Sequence, residues 1–129
     1  MKKISLLSLI VFHISNIGMI ALYLFPGSIL GWLIYDNFQK QPQITPNFFI
    51  STNHLCAFMV LSFLGLISFS SKKFKLLFSY LFTISIILEL CHILIPKRSF
   101  EYSDLFGNFL GVFFIFVLYN LYKFLKDIK

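Results

Sequence analysis

Ionisable side chains are scarce inside the apolar runs of this chain. Most of them fall in one window, spaced Glu89-x-x-His92, Pro96-x-Arg98 and Asp104-x-x-x-Asn108, with His54 upstream. A carboxylate and an imidazole three residues apart project from nearly the same face of a helix. Such a pair can exchange a proton or supply part of a metal site. Asp104, Gly107, Asn108 and Gly111 fall on one face at helical spacing, and Gly107 with Gly111 forms a G-x-x-x-G pair that admits a close helix neighbour. The short connection before Asp104 points to the helix carrying Glu89 and His92 as that neighbour.

Lys97 and Arg98 stand at the mouth of the window. They read as snorkelling cations, as a clamp for a phosphate, or as an arginine fork joining Arg98 to Asp104 or Glu89. Asp104 also suits the positive end of a helix, where Ser103 or Asp104 would be the N-cap. His54 shares a face with Phe58, Leu61 and Gly65, so it reads either as a packing residue or as a further wall of the same cavity. His13 and Asn16 share a face at mid-depth and suit hydrogen bonds between helices. His54, Glu89, His92 and Asp104 are permissible zinc ligands. However, H-E-x-x-H is absent, and no serine or cysteine has an obvious base beside it. The expectation is therefore a polar pocket of His54, Glu89, His92, Arg98, Asp104 and Asn108, with no metal and no cofactor.

These residues must be positioned by elements that suit lipid. The chain has 129 residues, 58% hydrophobic and 12% charged, about half the charged share of a soluble domain. Four apolar runs, roughly 4–24, 48–69, 76–95 and 105–124, each approach the ~20 residues a helix needs to cross a bilayer. Inside lipid the backbone must satisfy itself, so the runs read as helices. The expected fold is an all-α membrane protein, a single domain over 1–129 with four transmembrane helices. Glu89 would then lie about 9 Å below the end of the third run at ~1.5 Å per residue, too deep for a glutamate to snorkel.

The cations set an orientation. Lys2, Lys3, Lys72, Lys73, Lys75, Lys123, Lys126 and Lys129 share one side of that topology, against Lys40, Lys97 and Arg98 on the other. The excess of positive charge favours both termini in the cytoplasm, and the expected location is the cytoplasmic (inner) membrane. Tyr23, Trp32 and Tyr35 suit the outer interface, and Tyr80, Tyr119 and Tyr122 the inner one. Between the first two helices, 28–38 is apolar but too short to span, which suits a short interfacial helix. Pro42 and Pro46 keep the next stretch extended. The first run is longer than a signal core and lacks a clear cleavage site, so it reads as a retained helix. The net charge of +6 forms no basic stripe, and nucleic acid is excluded as a partner. Cys56 and Cys91 match no metal or redox spacing and read as buried, unpaired thiols. The 18 phenylalanines read as lipid-facing and packing bulk.

The ordered set Glu89-x-x-His92, Pro96-x-Arg98, Asp104-x-x-x-Asn108-x-x-Gly111, after His54 at the head of a helix, resembles the VanZ-like family. That pattern runs D-K-x-x-H, E-x-x-Q, P-x-R, D-x-x-x-N-x-x-G, and the likeness covers roughly residues 48–117. His92 stands where the family has glutamine, and Ile50 and Ser51 replace its aspartate and lysine. The resemblance implies a small multi-pass bacterial membrane protein of the cell envelope. The family's founding member is associated with resistance to the glycopeptide teicoplanin, a property not transferred to this chain. Three functions stay open: a pocket for a lipid headgroup, lipid-linked precursor or amphiphilic antibiotic; a membrane-embedded hydrolase or transferase using Glu, His and Asp; and a structural subunit of a larger complex. Membrane lipids, an anionic lipid-like ligand, and a partner protein or second copy are the expected contacts.

Overall fold

The computed structural model describes residues 6–45 and 49–128. Five α-helices follow one another: α1 (Leu6–Leu24), α2 (Ile29–Tyr35), α3 (Thr52–Ser68), α4 (Phe74–Cys91) and α5 (Tyr102–Asp127). A 3₁₀ turn, Ser71–Lys73, leads into α4. No strand occurs among the described residues.

The four long helices run alternately up and down. Where α3 ends beside the start of α1, the Ser68 hydroxyl donates to the Ser8 carbonyl at 2.7 Å. At the opposite end, where α4 finishes beside the end of α1, His92 Nε2 reaches the Tyr23 carbonyl at 3.1 Å. Lys72, Lys73, Lys75, Lys123 and Lys126 therefore share one end of the bundle, and Lys40, Lys97 and Arg98 the other. Lys2, Lys3 and Lys129 of the same charge pattern lie outside the described residues, as do Pro46 and the start of the second apolar run at 48.

Three helices are long and apolar enough to cross a membrane: Leu6–Leu24, Ser71–Cys91 and Tyr102–Asp127. At 17 residues α3 is shorter, about 26 Å long at ~1.5 Å per residue. It sits centrally and packs on α1, α4 and most extensively on α5. The core runs along it, with Phe58 and Leu61 meeting Phe12, Phe78, Leu81 and Val112. Much of the outer surface is apolar on every long helix, as at Ile14, Ile17, Phe63, Ile87 and Phe114. Lipid, not water, suits that surface.

Several boundaries and contacts differ from the sequence reading. The helix of the third apolar run, α4, ends at Cys91 rather than near 95, so Glu89 lies close to its end. From His92 to Leu94 the chain continues in i→i−3 turns, because the coming Pro96 and the inward pull of His92 end the α pattern. The glycine face of α5 meets α3, not α4. A Cβ on Gly107 would stand 2.6 Å from the Ser51 carbonyl oxygen, and one on Gly111 2.5 Å from that of Leu55. The N-cap of α5 is Glu101, with Asp104 in the first turn.

Asn16 does bond across helices, donating to the Tyr80 hydroxyl at 2.6 Å. His13 is exposed and lies edge-on to Phe12 and Phe69 instead. Cys56 and Cys91 are free but half-buried. The short helix expected between the first two spans is α2, capped by the Ser28 hydroxyl, which accepts from the Gly31 amide at 2.9 Å. Its Leu30, Leu33 and Ile34 are exposed.

Candidate functional site

The residues expected in the pocket gather at the Arg98 end of the bundle. Of the six, only His54, His92, Arg98 and Asp104 line the two cavities there, while Glu89 and Asn108 lie behind them. The arrangement is built from the Asn108 amide outward. Asn108 is fully buried, and its Nδ2 donates to the Ser85 carbonyl at 3.2 Å. That contact turns Oδ1 toward α1 and α3. There the Tyr23 hydroxyl donates to Asn108 Oδ1 at 2.6 Å, and His54 Nδ1 lies 3.0 Å from the same oxygen. His54 Nδ1 is also 2.9 Å from the Tyr23 oxygen. Since the Tyr23 proton goes to Asn108, both atoms facing His54 Nδ1 are acceptors, and Nδ1 must carry a hydrogen.

The other ring nitrogen is thereby fixed as well. His54 Nε2 stands 3.3 Å from Asp104 Oδ2, with Gln41 Nε2 at 3.5 Å. A second carboxylate–imidazole pair lies beside it. His92 Nε2 donates to the Tyr23 carbonyl, and its Nδ1 faces Glu89 Oε1 at 3.2 Å. The Glu101 amide donates to the same Glu89 oxygen at 3.1 Å. Glu89 is fully buried, yet its Oε2 has no hydrogen-bond partner. The Tyr23 ring stacks on His92 at 5.8 Å and meets His54 edge-on at 5.0 Å. It separates the two histidines and orders both.

Arg98 does not form the expected fork. The carboxylate–imidazole contacts among the described residues are His54–Asp104 and His92–Glu89, and Arg98 joins neither carboxylate. Arg98 instead donates to the Leu22 carbonyl at 3.0 Å, the Phe25 carbonyl at 3.3 Å and Gln41 Oε1 at 3.4 Å. The last carbonyls of a helix lack partners and carry partial negative charge, so a guanidinium satisfies them well. Burial pulls Arg98 below its ordinary pKa, and the nearby charges of Asp104 and Glu89 oppose that pull. The preceding Lys97 holds a left-handed backbone, φ 63°, which turns Arg98 back over α1.

Two cavities lie side by side here. A polar mouth of about 270 Å³ is ringed by Ser51, Lys97, Arg98, Ser99, Glu101 and Asp104. A largely apolar groove of about 560 Å³ runs between α1 and α3, past Gly18, Met19, Leu22, Ala57 and Val60. Ser28, Gln41, Asn53, His92 and Arg98 line both.

Sequence reasoning missed Tyr23, Gln41, Ser85 and Glu101. Tyr23 had been assigned to the interface, although Asn16, Met19 and Tyr23 recur at helical spacing and are the buried stripe of α1. Gln41 and Glu101 are loop residues, and Ser85 and Glu101 contribute backbone atoms to these bonds, for which side-chain pattern carries no signal.

Among known proteins, the chain matches no family model, no curated protein and no solved structure. The resemblance to the VanZ-like family rests on the spaced residues alone.

Proposed function

We propose that this protein is a multi-pass membrane protein whose polar mouth holds the phosphate of a membrane lipid while the α1–α3 groove takes its chain. The observation that carries this reading is that Arg98 and Gln41 line both cavities, the polar one and the apolar one. A polar chamber beside an apolar slot matches an amphiphile, whereas a free anion has no use for the slot. Arg98 has more N–H donors than its three contacts use, and Lys97 lines the mouth beside it.

In this reading α3 is a fourth, short span, the lysine-rich end is cytoplasmic, and the mouth faces outward at the cytoplasmic membrane of a bacterium. The helix α2 lies along the outer interface with its exposed leucines in lipid. The VanZ-like spacing of Glu89, Arg98, Asp104, Asn108 and Gly111 supports a place in the cell envelope. Lipid-linked precursors and amphiphilic antibiotics present the same combination of anion and apolar chain.

Native mass spectrometry of the detergent-purified protein tests this. Phosphatidylglycerol should be retained, and Arg98→Ala should weaken retention by roughly tenfold or more, the worth of a hydrogen bond to a charged group. Diacylglycerol with the same chains should bind both proteins alike. Equal retention of phosphatidylglycerol by the variant would remove the phosphate reading.

A further inference from the structure

We infer that His54, Glu89 and Asp104 form a binding site for a divalent metal ion of the zinc class beneath the polar mouth. One ligand atom from each lies within 4.8 Å of the others. The three residues come from three helices, α3, α4 and α5, so the site would tie the bundle together at this end.

The hydrogen bonds leave room for a cation. With Nδ1 of His54 carrying a hydrogen, a neutral imidazole turns the lone pair of Nε2 toward Asp104 Oδ2 at 3.3 Å. Two acceptors then face each other, with the Gln41 amide 3.5 Å from Nε2, and either a proton or a metal ion between them relieves the contact. Zinc bonds of ~2.0–2.2 Å at tetrahedral angles put neighbouring donor atoms roughly 3.3 Å apart. Glu89 supplies an independent observation. It is fully buried, its Oε1 is taken by His92 and by the Glu101 amide, and its Oε2 has no partner. A buried carboxylate oxygen left without a donor is costly in apolar surroundings, and a metal bond would satisfy it.

The outer contacts have the form of a metal centre. Metal-bound histidines donate their second ring N–H to an oxygen that fixes the tautomer, as His54 does to Asn108 and Tyr23. Asn108 is held in turn by Ser85, and Glu89 by His92 and Glu101. One nitrogen and two carboxylate oxygens suit zinc or a similar transition ion, since the imidazole disfavours magnesium and calcium. Three protein ligands leave a further coordination position, as in zinc sites that act on a substrate. Asp104 lines the mouth and His54 the groove, so two of the three ligands stand at cavity walls. The assignment stands on this geometry whatever enters the mouth.

The test uses full-length protein in detergent, stripped with chelator and titrated with Zn²⁺ or Co²⁺ alone. One equivalent should bind, with the visible absorption of low-coordinate Co²⁺ and a rise in Tm. His54→Ala, Glu89→Gln and Asp104→Asn should each lose stoichiometric binding. Asn108→Leu, which removes no ligand atom but strips the partner of His54 Nδ1, should weaken it by about 10–100-fold. Asp104→Asn is nearly isosteric and sits at the rim, so it keeps the test readable if the buried variants fail to fold. Wild-type protein that stays folded and takes up no ion would leave a plain imidazolium–carboxylate pair and overturn the site. Equal binding by Asp104→Asn would overturn it too. Phosphatidylglycerol retention, measured separately, does not enter either outcome.

Discussion

The two ends of the bundle hold the same helices by opposite means. At the lysine-rich end, α4 and α5 meet through rings. Phe74 stacks on Tyr119 at 4.4 Å and on Phe116 at 5.6 Å, and Phe78 meets Phe116 edge-on at 5.2 Å. At the Arg98 end the helices meet through Glu89, His92, His54 and Asn108, all buried. Rings give cohesion with no desolvation penalty, whereas buried ionisable groups are a weak source of stability. A chain that needed only cohesion would repeat the aromatic solution. The polar end, with its cavities and its unpartnered Glu89 oxygen, gives up stability where a ligand can be held.

That contrast can be broken most sharply by paired deletions. Phe78→Ala should cost about 3–5 kcal/mol from the aromatic end, and Glu89→Ala about the same, by stranding His92 and the Glu101 amide. Thermal unfolding in detergent would register both. Only Glu89→Ala should also abolish Co²⁺ uptake. If both lost ligand binding alike, the two ends would not be functionally distinct.

Gly111→Leu should cost about 1–3 kcal/mol, because even its Cβ would stand 2.5 Å from the Leu55 carbonyl oxygen. Unfolding curves that match wild type would mean that α5 does not ride on α3 this closely. Asn108→Leu should cost about 1–3 kcal/mol through the unpaired Ser85 carbonyl, Tyr23 hydroxyl and His54 N–H. Its loss should be no larger than that of Phe78→Ala, yet it should reach metal affinity while the aromatic change does not. The smallest effect is expected at Lys97. Its left-handed backbone favours glycine by roughly 1–2 kcal/mol, so Lys97→Gly should raise Tm slightly and weaken lipid retention only through the lost charge.

The sequence made the site more legible than the connections around it. Glu89, His92, Asp104 and Asn108 stood out because ionisable groups in apolar helices are rare and their spacing puts them on defined faces. His54 followed from the buried face it shares with Phe58, Leu61 and Gly65. Which helix received Gly107 and Gly111 was not legible, since a G-x-x-x-G pair states that a neighbour is close but not which one. The short α4–α5 connection suggested α4, while the carbonyls of Ser51 and Leu55 occupy the space. Arg98 was misread for a related reason. Sequence shows carboxylates nearby, but not the unsatisfied carbonyls at the end of α1 that compete for the guanidinium. The end of α4 at Cys91 was hidden by Ile93, Leu94 and Ile95, which extend the apolar run beyond the helix.

The central claim is that a phosphate-bearing lipid seats its chain between α1 and α3 with its head at Arg98. The most direct measurement is photocrosslinking of the reconstituted protein with phosphatidylglycerol carrying a diazirine in one acyl chain. The account predicts adducts concentrated on α1 and α3 peptides around Gly18, Leu22, Ala57 and Val60, and their loss in Arg98→Ala. Adducts spread evenly over the exposed faces of α4 and α5, unchanged by Arg98→Ala, would show only surrounding lipid and contradict it.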